Sequence, residues 1–390
     1  MEKDFGAYIE AQQGQMFDLL GKLVRINSGS NNKNGVDAVG REIAAALNDC
    51  ALTQETIGLE QAGNLLIFRT PPALAHAGQA LMVGHMDTVF APGTDFNDYR
   101  EDDSRSYGPG VIDMKGGLVA GIFALKALAA GGLLNNLPLA FVCTSDEEIG
   151  SPWSKSLIRQ EARKSNCAFV LEVGGIDGQV VTGRKGNLSA RLTIEGRAGH
   201  AAFAGTDKTS AIVEMAHKIL AIEALNDPAK GLSANVGLVS GGIGPNTVAA
   251  HAEARLDFRF IHAEDGRQLK ARLFNICSQA TNPNATCKVE ILSGRPPMPA
   301  NEANERLYRH IAHIARHLKI PIGSEFRSGV SDANFIDQAG TPVIDGLGPI
   351  GAGDHSPREY MVKDSLPQRT LLLASVLADY VRGSLQGNRK

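Results

Sequence analysis

An apolar run, residues 137–143, leads directly into Thr144-Ser145-Asp146-Glu147-Glu148-Ile149-Gly150. An uninterrupted apolar run of that length reads as a strand covered on both faces, the kind found inside an α/β layer. Three consecutive carboxylates at its mouth are costly to desolvate unless something cationic compensates them. Neighbouring residues at a strand end point in different directions. One of Glu147 and Glu148 can therefore hold a cation while the other faces a bound water. Metal-assisted hydrolysis requires that pairing of ligand and base. Taken alone, the stretch reads first as an acidic solvated turn, and it is the rest of the chain that reverses this.

Strand and helix patterns alternate through the first 172 residues. Strands are expected at 64–68, at 80–84 running into His85-Met86-Asp87, and at 168–171 running into Glu172. Helices are expected around Met16 to Val24, at 36–47, at 116–130 and near 154–164. The segment 116–130 is apolar nearly all round (Leu118, Val119, Ile122, Phe123, Leu125, Leu128), as in a helix with no solvent face. This alternation predicts an α/β layer with a largely parallel sheet, whose functional groups collect at the C-terminal ends of strands. His85, Asp87, Glu147, Glu148 and Glu172 all stand at such ends.

The texture changes after Gly186. Residues 188–194 and 251–260 alternate apolar with polar, so these strands present one face to water. With helices expected at 209–225 and 264–280 and further strands at 234–239 and 287–292, the order β-α-β-β-α-β is the ferredoxin-like split unit. The expected organisation is a first part of a catalytic domain (1–186), an inserted α+β domain (187–296), and a second catalytic part (297–390). The last part carries a helix near 306–318, a strand near 342–344, a loop through His355 and a C-terminal helix at 367–383.

Composition narrows the function. Net charge is −3 from 39 basic and 42 acidic residues, and Trp153 is the one tryptophan, so neither nucleic acid nor an anionic membrane is an expected partner. The five cysteines are scattered without a C-x-x-C pair, a reducing-compartment profile. The acidic N-terminus carries no leader pattern, and no uncharged apolar run approaches membrane-spanning length. A cytoplasmic protein is expected.

Ser106-Tyr107-Gly108-Pro109-Gly110-Val111-Ile112-Asp113-Met114-Lys115-Gly116-Gly117 sets Asp113 in a glycine-rich turn before the buried helix. The candidates are then His85, Asp87, Asp113, Glu147, Glu148, Glu172 and His355. Imidazoles and carboxylates without thiolates suit catalytic zinc or a similar divalent ion. Five carboxylates and two imidazoles exceed one site and match two metals sharing a carboxylate.

The order His-x-Asp, Gly-Pro-Gly-x-x-Asp-x-Lys-Gly-Gly, Thr-x-Asp-Glu-Glu-x-Gly-Ser, a further strand-end Glu and a late His-Ser resembles the dinuclear zinc exopeptidase family of glutamate carboxypeptidase. That family also holds aminoacylases, di- and tripeptidases and succinyl-diaminopimelate desuccinylase. The resemblance spans essentially the whole chain. It implies an α/β/α catalytic domain with an inserted ferredoxin-like dimerisation domain, and two Zn²⁺ per chain, with Co²⁺ or Mn²⁺ as substitutes. It also implies Asp113 as bridging ligand, His85 and Glu172 completing one metal site, and Glu148 and His355 completing the other. Glu147 would be the general base, Asp87 would hold the far nitrogen of His85, and the Asp113–Met114 peptide would be cis.

In the inserted domain, Gly196 to Ala201 resembles the segment whose His, here His200, crosses a dimer interface to stabilise the oxyanion. Asn246 resembles a substrate-binding Asn, and Arg259 the Arg that grips a substrate carboxylate. Without the family, Arg259 reads as a solvated Arg paired with Asp257 or Glu253. Ser328-Gly329-Val330-Ser331-Asp332-Ala333 resembles a substrate-binding turn at Gly329, with Val330 and Ser331 departing from the usual Gly-Gly-Thr-Asp.

The implied reaction is hydrolysis of an amide next to a free carboxylate in a small peptide. An N-acyl amino acid, a dipeptide or a succinylated diamino acid are the alternative substrates, and a metal-stabilised binding module is the non-catalytic one. His310, His313 and His317 share a helical face but lie among Arg309, Arg316 and Lys319, as on a solvated helix. Gly346 to Gly351 matches G-x-G-x-x-G without a following helix, which argues against a dinucleotide site.

Overall fold

The Gln79–His85 and Leu139–Thr144 strands run side by side and parallel, with His85 opposite Thr144. This register brings the imidazole to the mouth of the acidic loop. The computed structural model describes residues 5–75 and 78–383. Their sheet has the order Thr53–Ile57, Leu65–Arg69, Leu139–Thr144, Gln79–His85, Ser165–Val170, Val343–Ile344. The last four are mutually parallel, and Leu65–Arg69 runs against both its neighbours. The two strands carrying His85 and Thr144 are buried along their whole length.

The Gly116–Gly131 helix packs against Gln79–His85 and against the Phe5–Arg25 and Ser365–Val381 helices. It is covered on every side, which is why its sequence has no polar face. Leu118, Val119, Ile122, Leu125 and Leu128 are fully buried. Each contributes roughly 1.5–3 kcal/mol relative to exposure. The start of the helix presses so close to the chain after Ser165–Val170 that a Cβ on Gly117 would lie 1.9 Å from the Leu171 carbonyl oxygen. Gly116-Gly117 is therefore a close-approach signal.

The chain divides into two compact units. The first comprises Met1–Gly183, Ala300–Phe326 and Ser331–Lys390; the second comprises Arg184–Pro299 with Arg327–Val330. Nothing in the sequence pattern marks that short return at Arg327.

The second unit holds a fully antiparallel sheet, ordered Ser233–Gly241, His251–Phe260, Gly186–Glu195, Thr286–Arg295. In their own chain order the strands run 2-3-1-4, the split β-α-β arrangement. Burial alternates strictly along His251–Phe260. Its inward side chains, Ala252, Ala254, Leu256, Phe258 and Phe260, form a core with residues of the Ala211–Glu223 and Ala263–Ser278 helices.

Candidate active site

Three strand ends of the first unit deliver the cluster. His85 closes the Gln79–His85 strand, Glu147 and Glu148 follow Leu139–Thr144, and Glu172 follows Ser165–Val170. Asp113 arrives from the turn before the Gly116–Gly131 helix, where Gly110 takes a left-handed conformation with φ +74°. The Asp113–Met114 peptide is cis. His355 arrives from the loop before the Tyr360–Val362 strand, itself left-handed with φ +57°.

Asp113 is shared. Its Oδ1 lies 3.0 Å from His85 Nε2, and its Oδ2 lies 3.2 Å from His355 Nε2. His355 Nε2 is also 3.2 Å from Glu148 Oε2, and His85 Nε2 is 3.6 Å from Glu172 Oε1. Glu147 faces the His85 and Glu172 side: ligand-capable atoms of these three residues lie within 4.8 Å of one another, as do those of His85, Asp113 and Glu148.

The donor chemistry fits cations. His85 Nδ1 is 2.9 Å from the main-chain carbonyl of Asp87, which can only accept, so Nδ1 carries the proton. In the neutral ring the bare Nε2 then confronts carboxylate oxygens of Asp113 and Glu172. Acceptors facing acceptors need positive charge between them. Burial pulls the His85 pKa down, but the Asp113 and Asp87 carboxylates push it well above the ordinary range. Asp113 and then Glu148 drive His355 up to about 11. Burial, and after it the charge of Asp113, raises both Glu148 and Glu172. Carboxylates this crowded destabilise one another unless a cation joins them.

Asp87 meets the far nitrogen of His85 with both its main-chain oxygen and its carboxylate. The nearest acceptor to His85 Nδ1 is its main-chain oxygen, and its carboxylate Oδ1 is farther, at 3.5 Å. The carboxylate also has other partners. It accepts the N–H groups of Glu147 and Glu148, each at 3.2 Å, and the Ser30 hydroxyl at 2.7 Å. Backbone N–H groups leaving a buried strand have no ladder partner, and they recruit it.

Sequence reasoning missed two further carboxylates. Asp332 accepts the Thr144 and Ser151 hydroxyls, pinning both ends of the acidic loop. Glu359 accepts three backbone N–H groups in the Asp113 turn. Neither lies near its partners in sequence, so no local spacing could reveal them. Lys115, also in that turn, is buried and donates to the Ile26 carbonyl, and burial pushes its ammonium down to about 7.

The other candidates belong to the second unit. His200 and Asn246 are adjacent there. The Gly199–His200 and Thr247–Val248 strands pair, and the Ala201 N–H donates to the Asn246 carbonyl. His200 Nδ1 accepts the Ala202 N–H. Arg259 Nε donates to Asp257 Oδ2 at 2.8 Å, and its Nη1 reaches the Ser328 carbonyl at 3.5 Å. The Gly329 carbonyl accepts from Arg184. His313 and His317 are exposed, their Nε2 atoms 3.1 Å apart, while His310 pairs with Asp379.

Residues 81–379, well over half of the chain, match the model of peptidase family M20/M25/M40. The chain belongs to this family. Carboxypeptidase G2 of Pseudomonas sp. (strain RS-16) is 29% identical over 380 residues, covering 95% of this chain and 91% of that one. Acetylornithine deacetylase of Edwardsiella ictaluri is 27% identical, covering 76% and 79%. The crystal structure of aminopeptidase PepT from Bacillus cereus superposes with a TM-score of 0.76 at 20% identity, covering 94% and 98%, and so shares the fold. As an M20 member the chain is a metal-dependent hydrolase of amide bonds. Among the described residues, no helix is long and apolar enough to cross a membrane.

Proposed function

We infer that this M20 enzyme is a glutamate-carboxypeptidase-like exopeptidase. It would release a C-terminal amino acid by cleaving the amide beside its free carboxylate. The observation that carries the reading is the division of Asp113 between two imidazoles, one at each carboxylate oxygen. Two divalent ions, zinc foremost, would be held with Asp113 in common. His85 and Glu172 would complete one position, and Glu148 and His355 the other. When bound, such a pair acidifies water and polarises a carbonyl.

Glu147 takes a proton from the attacking water and passes it to the leaving amine. Asp87 keeps Glu147 aimed by holding its main-chain N–H. His200 donates to the developing oxyanion, Asn246 and Gly329 hold the substrate, and Arg259 grips its free carboxylate as a planar fork.

This role of His200 goes with a homodimer formed through the domain at 187–296. The Ser233–Gly241 strand ends its sheet and leaves Leu238 and Val239 exposed, while the Ala211–Glu223 helix exposes Ile212, Val213 and Leu220. An apolar sheet edge of this kind is a ready template for a second copy. Five free cysteines, four of them buried, suit the cytoplasm.

A second reading, removal of an acetyl or succinyl group from an amino acid, has one specific support. Val330 and Ser331 depart from the family's Gly-Gly-Thr-Asp beside Gly329, where substrate would lie. A hydrolysis panel of glutamyl, aspartyl and neutral C-terminal amides together with N-acyl amino acids, with and without chelator, separates the two. Selective, chelator-sensitive cleavage of C-terminal acidic residues supports the first. Turnover confined to the N-acyl compounds overturns it.

A further inference from the structure

Glu359 is fully buried, yet among the described residues its carboxyl bonds to backbone N–H groups and forms no ion pair. Its Oε2 accepts the Gly110 N–H at 3.0 Å; its Oε1 accepts those of Ile112 at 2.9 Å and Asp113 at 3.1 Å. These three donors are the inner backbone of the turn that presents Asp113. The carboxylate is set four residues beyond His355, at the close of the same loop. That loop is tightly tied to itself: the Ser356 N–H and hydroxyl both donate to the Gly353 carbonyl, and the Glu359 N–H donates to the Ser356 carbonyl. Just past Glu359 the chain enters the Tyr360–Val362 strand, which pairs with Arg105–Tyr107. Glu359 is thus the point where the His355 loop and the Asp113 turn are locked together, across about 250 residues of sequence.

A buried carboxylate is an expensive way to satisfy three N–H groups that a carbonyl or water could serve. It does gather three N–H groups onto the two oxygens of one rigid side chain, which fixes the turn more tightly than separate acceptors would. Asp113 is the group whose orientation matters most, because its two oxygens must face His85 and His355 at once.

We propose that Glu359 is the positioning residue that sets the angle of Asp113 relative to His355, and so allows two divalent ions to be held together. This rests on the reading of Asp113 as the shared ligand. The predicted consequence of losing Glu359 is that the second ion is lost before the fold is.

The test is cobalt titration of metal-free wild type, Glu359→Gln and Glu359→Asp, read by visible absorption and by bound-metal stoichiometry. Ser365→Ala serves as a stability control, since Ser365 ties the same loop through the Ile350 N–H. Wild type and Ser365→Ala should take up two ions with the same spectrum. Glu359→Gln should take up its second ion about 10–100-fold more weakly, with an altered spectrum, and lose kcat while KM changes little. Glu359→Asp keeps both acceptor oxygens but falls one methylene short, and should behave like the Gln variant; should Gln not fold, Asp carries the same readout. A Glu359→Gln protein that loads two ions with the wild-type spectrum overturns the proposal. So does full recovery in Glu359→Asp, which would show that the reach of the side chain does not set the angle of Asp113. Wild type that takes up no cobalt overturns the underlying metal reading as well, and is thereby distinguished from failure of Glu359 alone.

Discussion

Asp87 and Glu147 are joined side chain to main chain: Asp87 Oδ1 accepts the Glu147 N–H at 3.2 Å, and Oδ2 accepts that of Glu148 at the same distance. One carboxylate therefore orients the proposed base and a proposed ligand together. Asp87→Ala should lower kcat/KM by about 10–100-fold, the usual cost of removing a group that orients metal-site residues. Circular dichroism should be unchanged. Steady-state kinetics with metal analysis check it, and an unaltered kcat/KM would count against the role.

Glu147→Gln keeps the shape of the site and removes the proton acceptor. Turnover should fall by roughly 10²–10⁴-fold while bound-metal content stays at the wild-type level. Single-turnover kinetics beside mass spectrometry of the native protein measure both quantities.

Glu161 predicts a pH effect away from the site. It is 1% exposed and accepts two bonds from Arg69, at 2.6 and 2.9 Å. Burial would raise its carboxyl, but Arg69 and Lys164 overcome that and hold it at about 2 against an ordinary 4.5. A depressed carboxyl stabilises the fold above its unfolded value, and that contribution is lost as pH falls toward the folded one. Glu161→Gln leaves Arg69 with only the longer Glu55 ion pair at 3.5 Å and should cost about 1.5–3 kcal/mol at pH 7. The gap between variant and wild type should shrink between about pH 4.5 and 2. Urea unfolding across that range tests it; a gap that does not change with pH would refute the assignment.

Gly117→Ala places a methyl against the Leu171 carbonyl oxygen. Backbone on both sides has little room to yield, so a loss of about 1–3 kcal/mol is expected. The shift in urea midpoint measures it, and Gly132→Ala, where a Cβ meets nothing within 4 Å but φ is +73°, separates crowding from backbone strain.

The main sheet of the first unit was readable because its strands are apolar runs ending in polar residues, and the acidic loop because three adjacent carboxylates are rare at such an end. The Thr53–Ile57 strand was not readable: it is exposed along nearly its whole length, so it carries no burial pattern. Gln179–Arg184 and Gly323–Arg327 pair with each other; the burial of the first does not alternate, and the second has no buried residue, so neither stands out from a loop. In the cluster, the groups with a motif around them could be named from sequence. Asp332 and Glu359 act through backbone and hydroxyl partners far along the chain, and long-range hydrogen bonds leave no periodic trace. The Asp87 carboxylate stands near His85 as its motif implies, but its bonds to two N–H groups of the acidic loop follow only from the register that sets His85 opposite Thr144.

The second unit begins and ends at one place. Arg184 and Met298 exchange N–H···O bonds in both directions, and Asn187 lies opposite Arg295. A doorway of two adjacent strands means that, Arg327–Val330 apart, the whole module is spliced in at a single seam. Trading it for another module, or closing the seam with a few residues, would leave the order of the six-stranded sheet untouched.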